Sequence, residues 1–139
     1  MGARTDSYQH QCRELLRLAR TISLEASQGD AHGAKRGLEE LRSILTVHVR
    51  LQNGILHPWL QKDGPEHLRD GAKGLALTGS DLLNSIVTFT GRWRTGDAIA
   101  ARRPAFAAEF GELARRLQTL VSEEQALYYG IDDHDGVLV

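Results

Sequence analysis

Residues 48–58 and 120–130 carry one pattern twice, which confines the chain to a fold that packs long helices against each other. The first stretch reads His48-Val49-Arg50-Leu51-Gln52-Asn53-Gly54-Ile55-Leu56-His57-Pro58. The second reads Leu120-Val121-Ser122-Glu123-Glu124-Gln125-Ala126-Leu127-Tyr128-Tyr129-Gly130. In register, His48 falls over Leu120, Gln52 over Glu124, Ile55 over Leu127, Leu56 over Tyr128 and His57 over Tyr129. The apolar residues upstream keep the same offset: Leu38, Leu41 and Leu45 fall over Phe110, Leu113 and Leu117. Residues i and i+4 share a helical face. Two helices therefore bring polar side chains into apolar stripes, as in a bundle built around a central site.

The rest of the chain agrees with a helical period. Apolar residues recur at three and four throughout, and no run alternates like a strand. Helix one is predicted over about 6–28, with Tyr8, Cys12, Leu15, Ala19, Ile22 and Ala26 on its face; Gly29 ends it and Asp30 caps the next. Helix two is predicted over about 31–61, with Leu38, Leu41, Leu45, His48, Gln52, Ile55 and Trp59 in its stripe. Pro65 starts helix three, over about 65–95, with the stripe Ala72, Leu75, Gly79, Leu82, Ile86, Phe89 and Trp93. Helix three also carries Gly71, Gly74 and Gly91, and each of its four glycines costs up to ~1 kcal/mol against alanine. A connection around Gly96-Asp97, with room for a helical turn of its own, leads to Pro104. Helix four carries Phe106, Phe110, Leu113, Leu117, Leu120, Glu124 and Leu127 to about Tyr129. Residues 131–139 read as an acidic tail with a short apolar anchor. The expectation is one all-α domain over 1–139, an antiparallel up-down four-helix bundle with its core at about 6–130.

Composition narrows the function. The 139 residues are 41% hydrophobic and 25% charged, with a formal charge of −1. This is ordinary for a globular domain and gives no global field toward nucleic acid or an anionic membrane. Cys12 is the only cysteine, so neither a disulfide framework nor a multi-cysteine zinc site is available. No apolar run reaches the ~18 residues of a membrane span. The first residues lack a signal peptide's apolar stretch, and Asp6 stands where a myristoylation signal wants serine or threonine. The cytoplasm is the expected location, with no nucleic acid or membrane as partner.

A buried Glu124 needs a cation, a donor or a proton. His48 across the core can supply the donor, with Gln52 satisfying a remaining group. Buried polar groups usually pair within the protein, and a bound metal or cofactor is the other way to satisfy them. His10 falls off the stripe of helix one, roughly 160° to 200° from Tyr8 and Cys12, so it is expected to face outward. Cys12 is expected as a small apolar filler. His32 and His67 sit at helix starts, and His57 at a packing position. Asp132, Asp133, His134 and Asp135 offer at most a loose cation site. The pairs Arg92/Arg94 and Arg102/Arg103 form a local patch, expected to be solvated surface. There is no glycine-rich phosphate loop and no Ser-His-Asp constellation.

On these residues the chain resembles the hemerythrin family of HHE cation-binding domains. Leu56-His57-Pro58-Trp59-Leu60 is similar to the family's helix-two ending, and the likeness spans roughly residues 6–130. The resemblance implies a four-helix bundle with a non-heme di-iron centre, in which helices two and four each supply a histidine and a carboxylate. Further histidines would come from helices one and three. Carried onto this chain, His48 matches the helix-two histidine and Glu124 the helix-four carboxylate. Gln52 replaces the other carboxylate, Leu120 stands where the second histidine belongs, and Gly79 occupies the helix-three position. The resemblance thus implies a reduced ligand set of His48, Glu124 and Gln52.

Three readings follow. The leading one is a non-catalytic interaction or regulatory module with a degenerate metal site, no cofactor and an unidentified protein partner. The alternative is a non-heme iron protein binding or sensing oxygen, nitric oxide or peroxide, with His10, His48 and Glu124 as ligands if helix one shifts register. The third is an enzyme using Glu124 and His48 as acid and base. With two ligand positions lost, the centre is expected to be packed and dry, Leu120 leaning toward helix three.

Overall fold

Side-chain caps at Asp30 and Thr95 mark two of the helix starts. In the computed structural model, which describes residues 3–137, α1 runs Asp6–Ser27 and Gly29 follows at φ 83°, the left-handed conformation that closes a helix. The Asp30 carboxylate accepts from Gly33 N at 2.9 Å and starts α2, Ala31–Leu51. A π-helical turn over Gln52–Leu56 joins α2 to α3, His57–Lys62. Pro65 is extended, a 3₁₀ turn spans Glu66–Leu68, and α4 runs Arg69–Arg92. Thr95 caps α5, Gly96–Ala101, and Pro104 lies in the first turn of α6, Arg103–His134. Among the described residues there is no strand.

α1 packs on α2 and α6, and α4 packs on the same two helices, so the four long helices enclose one core. At one end Phe89, Trp93, Phe106 and Phe110 stack and tilt against each other at ring separations of 5.3 to 6.2 Å. Burial of Leu82, Ile86, Phe89 and Trp93 holds α4 despite its glycines. No helix among the described residues is long and apolar enough to cross a membrane.

Two expectations needed correction. Helix two does not run as one α-helix. The π turn rotates everything beyond it by about one residue, so Leu56 and Leu60 are buried while Ile55 is exposed and Trp59 only partly covered. Residues 131–134 are also not tail. α6 continues to His134 because Ile131 is fully buried and Asp132, 5% exposed, accepts from Thr5 Oγ1 at 2.7 Å and Gln9 Nε2 at 3.3 Å. This clasp ties the last turn of α6 to the start of α1. Only Asp135–Val137 lie past the helix among the described residues, and the apolar anchor expected at Leu138 and Val139 falls outside them.

Candidate functional site: a buried thiol, imidazole and carboxylate

The polar residues of the stripes meet inside the core. α2 delivers His48, the first residue of the π turn is Gln52, and α6 delivers Glu124; all three are buried. His48 Nε2 lies 2.9 Å from Glu124 Oε1, and Gln52 Nε2 donates to Glu124 Oε2 at 2.7 Å. The Tyr128 hydroxyl donates to Gln52 Oε1. On the other side of the ring, His48 Nδ1 lies 2.6 Å from Gln11 Oε1 and donates to it. Each ring nitrogen thus has a side-chain oxygen within hydrogen-bond distance, and Gln52 Nε2 also lies 3.2 Å from Nε2. The polar side-chain atoms of His48, Gln52 and Glu124 are all partnered, which is what a buried polar cluster requires.

Cys12 belongs to this cluster. Its Sγ lies 3.6 Å from Glu124 Oε1, to which it donates, and 3.9 Å from His48 Nε2. Burial, reinforced by the Glu124 charge, pushes the thiol well above its ordinary pKa. Burial and the same carboxylate also push the Tyr128 hydroxyl up. Tyr8 stacks on Tyr128 at 6.0 Å and meets the His48 ring edge-on at 6.3 Å, closing the cluster toward α1.

The surroundings of Leu120 and Gly79 are packed. Leu120 is buried, and a Cβ on Gly79 would sit 3.8 Å from Val49 Cγ2 and 4.0 Å from Leu120 Cδ2. That is ordinary contact distance, so a methyl group fits there but an imidazole would have to displace both side chains. Gly79→Ala is therefore expected to stabilise the protein by about 0.5–1 kcal/mol, since alanine loses less backbone entropy in a helix. A lower midpoint in urea unfolding would show that the gap is already closed.

His10 is exposed and takes no part in the central cluster. It lies instead along a groove between α1 and α2 with Gln11, Glu14 and Glu40. His67 and His134 are exposed, the latter beside Trp59, and His32 approaches Asp97 at 3.4 Å in the open. Arg92 and Arg102 flank the Trp93 ring, and Arg92 pairs with Glu109 at 3.1 Å, so these arginines serve local packing.

His57 is 8% exposed, and its Nδ1 finds no partner among the described residues. Burial, with the His48 charge adding to it and that of Glu124 opposing, lowers its pKa. The unfolded chain then binds a proton that the folded chain refuses. Stability should fall as pH drops below about 6.5, the ordinary histidine value, and level off below the folded pKa. Thermal melts from pH 8 to pH 5 test this, and the fall should shrink in His57→Phe.

Comparison with known proteins returns no matching family model, no matching characterised protein and no matching solved structure. The class that the fold and site define is an all-helical protein with a buried thiol–imidazole–carboxylate cluster.

Proposed function

We propose that the chain is a hemerythrin-like, antiparallel up-down four-helix bundle that works as a non-catalytic interaction or regulatory module. The reading is supported by the ring of contacts among α1, α2, α4 and α6, and by the His48–Glu124 pair that joins the two helices carrying the repeated pattern. One observation carries the functional half. On the hemerythrin-like mapping, the centre offers one imidazole and one carboxylate, while Gln52, Leu120 and Gly79 stand at three further ligand positions. Two irons need bridging carboxylates and several imidazoles, so this donor set does not fit a di-iron centre. The cluster is also sealed, with His48 fully buried and Glu124 2% exposed, which leaves a substrate no approach to either group.

The test is metal analysis and an absorbance spectrum of protein purified from iron-supplemented medium. Less than one iron per chain and no oxo-bridge bands are expected. The triple variant Gly79→His, Leu120→His, Gln52→Glu should take up more iron than the parent. Two irons per parent chain would overturn the proposal.

A second reading, a protein that binds a single metal through a reduced ligand set, is favoured by a specific observation. One ligand atom each from Cys12, His48 and Glu124 lies within 4.8 Å of the others.

A further inference from the structure

The three atoms that converge at the centre are Cys12 Sγ, His48 Nε2 and Glu124 Oε1, separated by 3.9, 3.6 and 2.9 Å. A circle through three points so spaced has a radius of about 2.0 Å, and zinc bonds to sulfur, nitrogen and oxygen run from about 2.0 to 2.3 Å. Tetrahedral zinc would hold these atoms roughly 3.5 Å apart. Two of the three separations are already within a few tenths of an ångström of that, and the third, 2.9 Å, is the hydrogen-bond distance between imidazole and carboxylate in the absence of an ion. We propose that Cys12, His48 and Glu124 form a site for one divalent transition-metal ion, zinc by the chemistry of its donors. This rests on and deepens the single-metal reading, with Cys12 where the sequence suggests His10.

Three features support a built site rather than a chance meeting of polar groups. Metal-bound histidine characteristically donates its other ring N–H to an oxygen acceptor, which fixes the ring, and His48 Nδ1 already does so to Gln11 Oε1. Gln52 Nε2 holds Glu124 Oε2, leaving Oε1 turned toward the thiol and imidazole, and the Tyr128 hydroxyl holds Gln52 in turn. Gln11 also lines the groove between α1 and α2, with Glu14 and Glu40 beside it. A cation drawn to that groove would meet the Gln11 side chain immediately outside His48. No charge is left uncompensated. A divalent ion displaces the thiol proton, and a thiolate, a carboxylate and a neutral imidazole balance its two positive charges. The mixed sulfur, nitrogen and oxygen donors suit zinc or cobalt(II) better than calcium or magnesium, which take oxygen alone.

The full-length chain, stripped with chelator under reducing conditions, is titrated with cobalt(II) and then with zinc. One cobalt per chain is expected, with a thiolate-to-cobalt charge-transfer band in the near ultraviolet and tetrahedral bands in the visible, all bleached by zinc. Cys12→Ala should abolish the charge-transfer band and weaken zinc binding at least tenfold, its circular dichroism and cooperative melt confirming the fold. Gln11→Leu should keep the band and weaken zinc binding about 10–100-fold, the range for outer hydrogen-bond partners. No binding at micromolar metal, or binding unchanged in Cys12→Ala, would overturn the inference and leave the interaction module standing. Two irons per parent chain would overturn the module reading instead.

Discussion

Glu124→Ala is expected to lower stability by about 3–5 kcal/mol, because it strands a buried histidine and a buried amide at once. In the parent, Glu124 Oε1 meets His48 Nε2 and Cys12 Sγ, and Oε2 accepts from Gln52. Alanine removes both oxygens, so all three partners lose their contact, and it leaves a space that water must enter or the helices must close. The size of the loss should not be read as the worth of the pair. Replacing His48, Gln52 and Glu124 together by leucine or methionine, with Tyr128→Phe to remove the hydroxyl that Gln52 accepts from, leaves no stranded charge or buried donor among them, and such exchanges are often neutral or stabilising. Urea unfolding of both variants makes the comparison. A single-variant loss under about 1 kcal/mol would mean that water already reaches the carboxylate.

Ile131→Ala should cost about 2–5 kcal/mol, the range for a fully buried isoleucine cut to alanine. Read as tail, residue 131 would tolerate the change within about 0.5 kcal/mol. The difference arises because Ile131 is fully buried and the neighbouring Asp132 is clasped by Thr5 and Gln9. Denaturant midpoints decide between the two values. Thr5→Ala should add a smaller loss of about 1–3 kcal/mol by removing the hydroxyl that Asp132 holds.

Much of the helical pattern was legible because period and caps agree. The stripe of α4 from Ala72 to Trp93 is buried as read, Gly29 and Asp30 mark the break after α1, and α5 occupies the turn expected at Gly96. The end of α6 was misread because acidic residues in a run look like a solvated terminus, and only the tertiary contact to Thr5 shows that Asp132 is buried. His48, Gln52 and Glu124 were legible as the centre because a polar residue in an apolar stripe must find partners. Cys12 was on the stripe but read as filler, since a buried thiol and a small hydrophobe look alike in sequence. Tyr128 left a fainter signal, a phenol four residues after Glu124 whose hydroxyl needs an acceptor if buried. Gln11 left none, because its role depends on how α1 lies against α2.

The π turn ties the protein's interior to its outside. Gln52 is its first residue, and its backbone carbonyl accepts from His57 N while its side chain is held by Tyr128 and Glu124. The next three residues, Asn53, Gly54 and Ile55, are exposed, and Asn53 reaches Ser80 on α4 at 3.2 Å. An event at the centre that shifts the Gln52 backbone along with its side chain would stretch the bond to His57 or carry the turn along. Either outcome would alter the solvent-facing edge formed by Asn53 and Ile55. A wide turn in the middle of a long helix thus sets a member of the buried cluster one residue away from the solvent-facing surface.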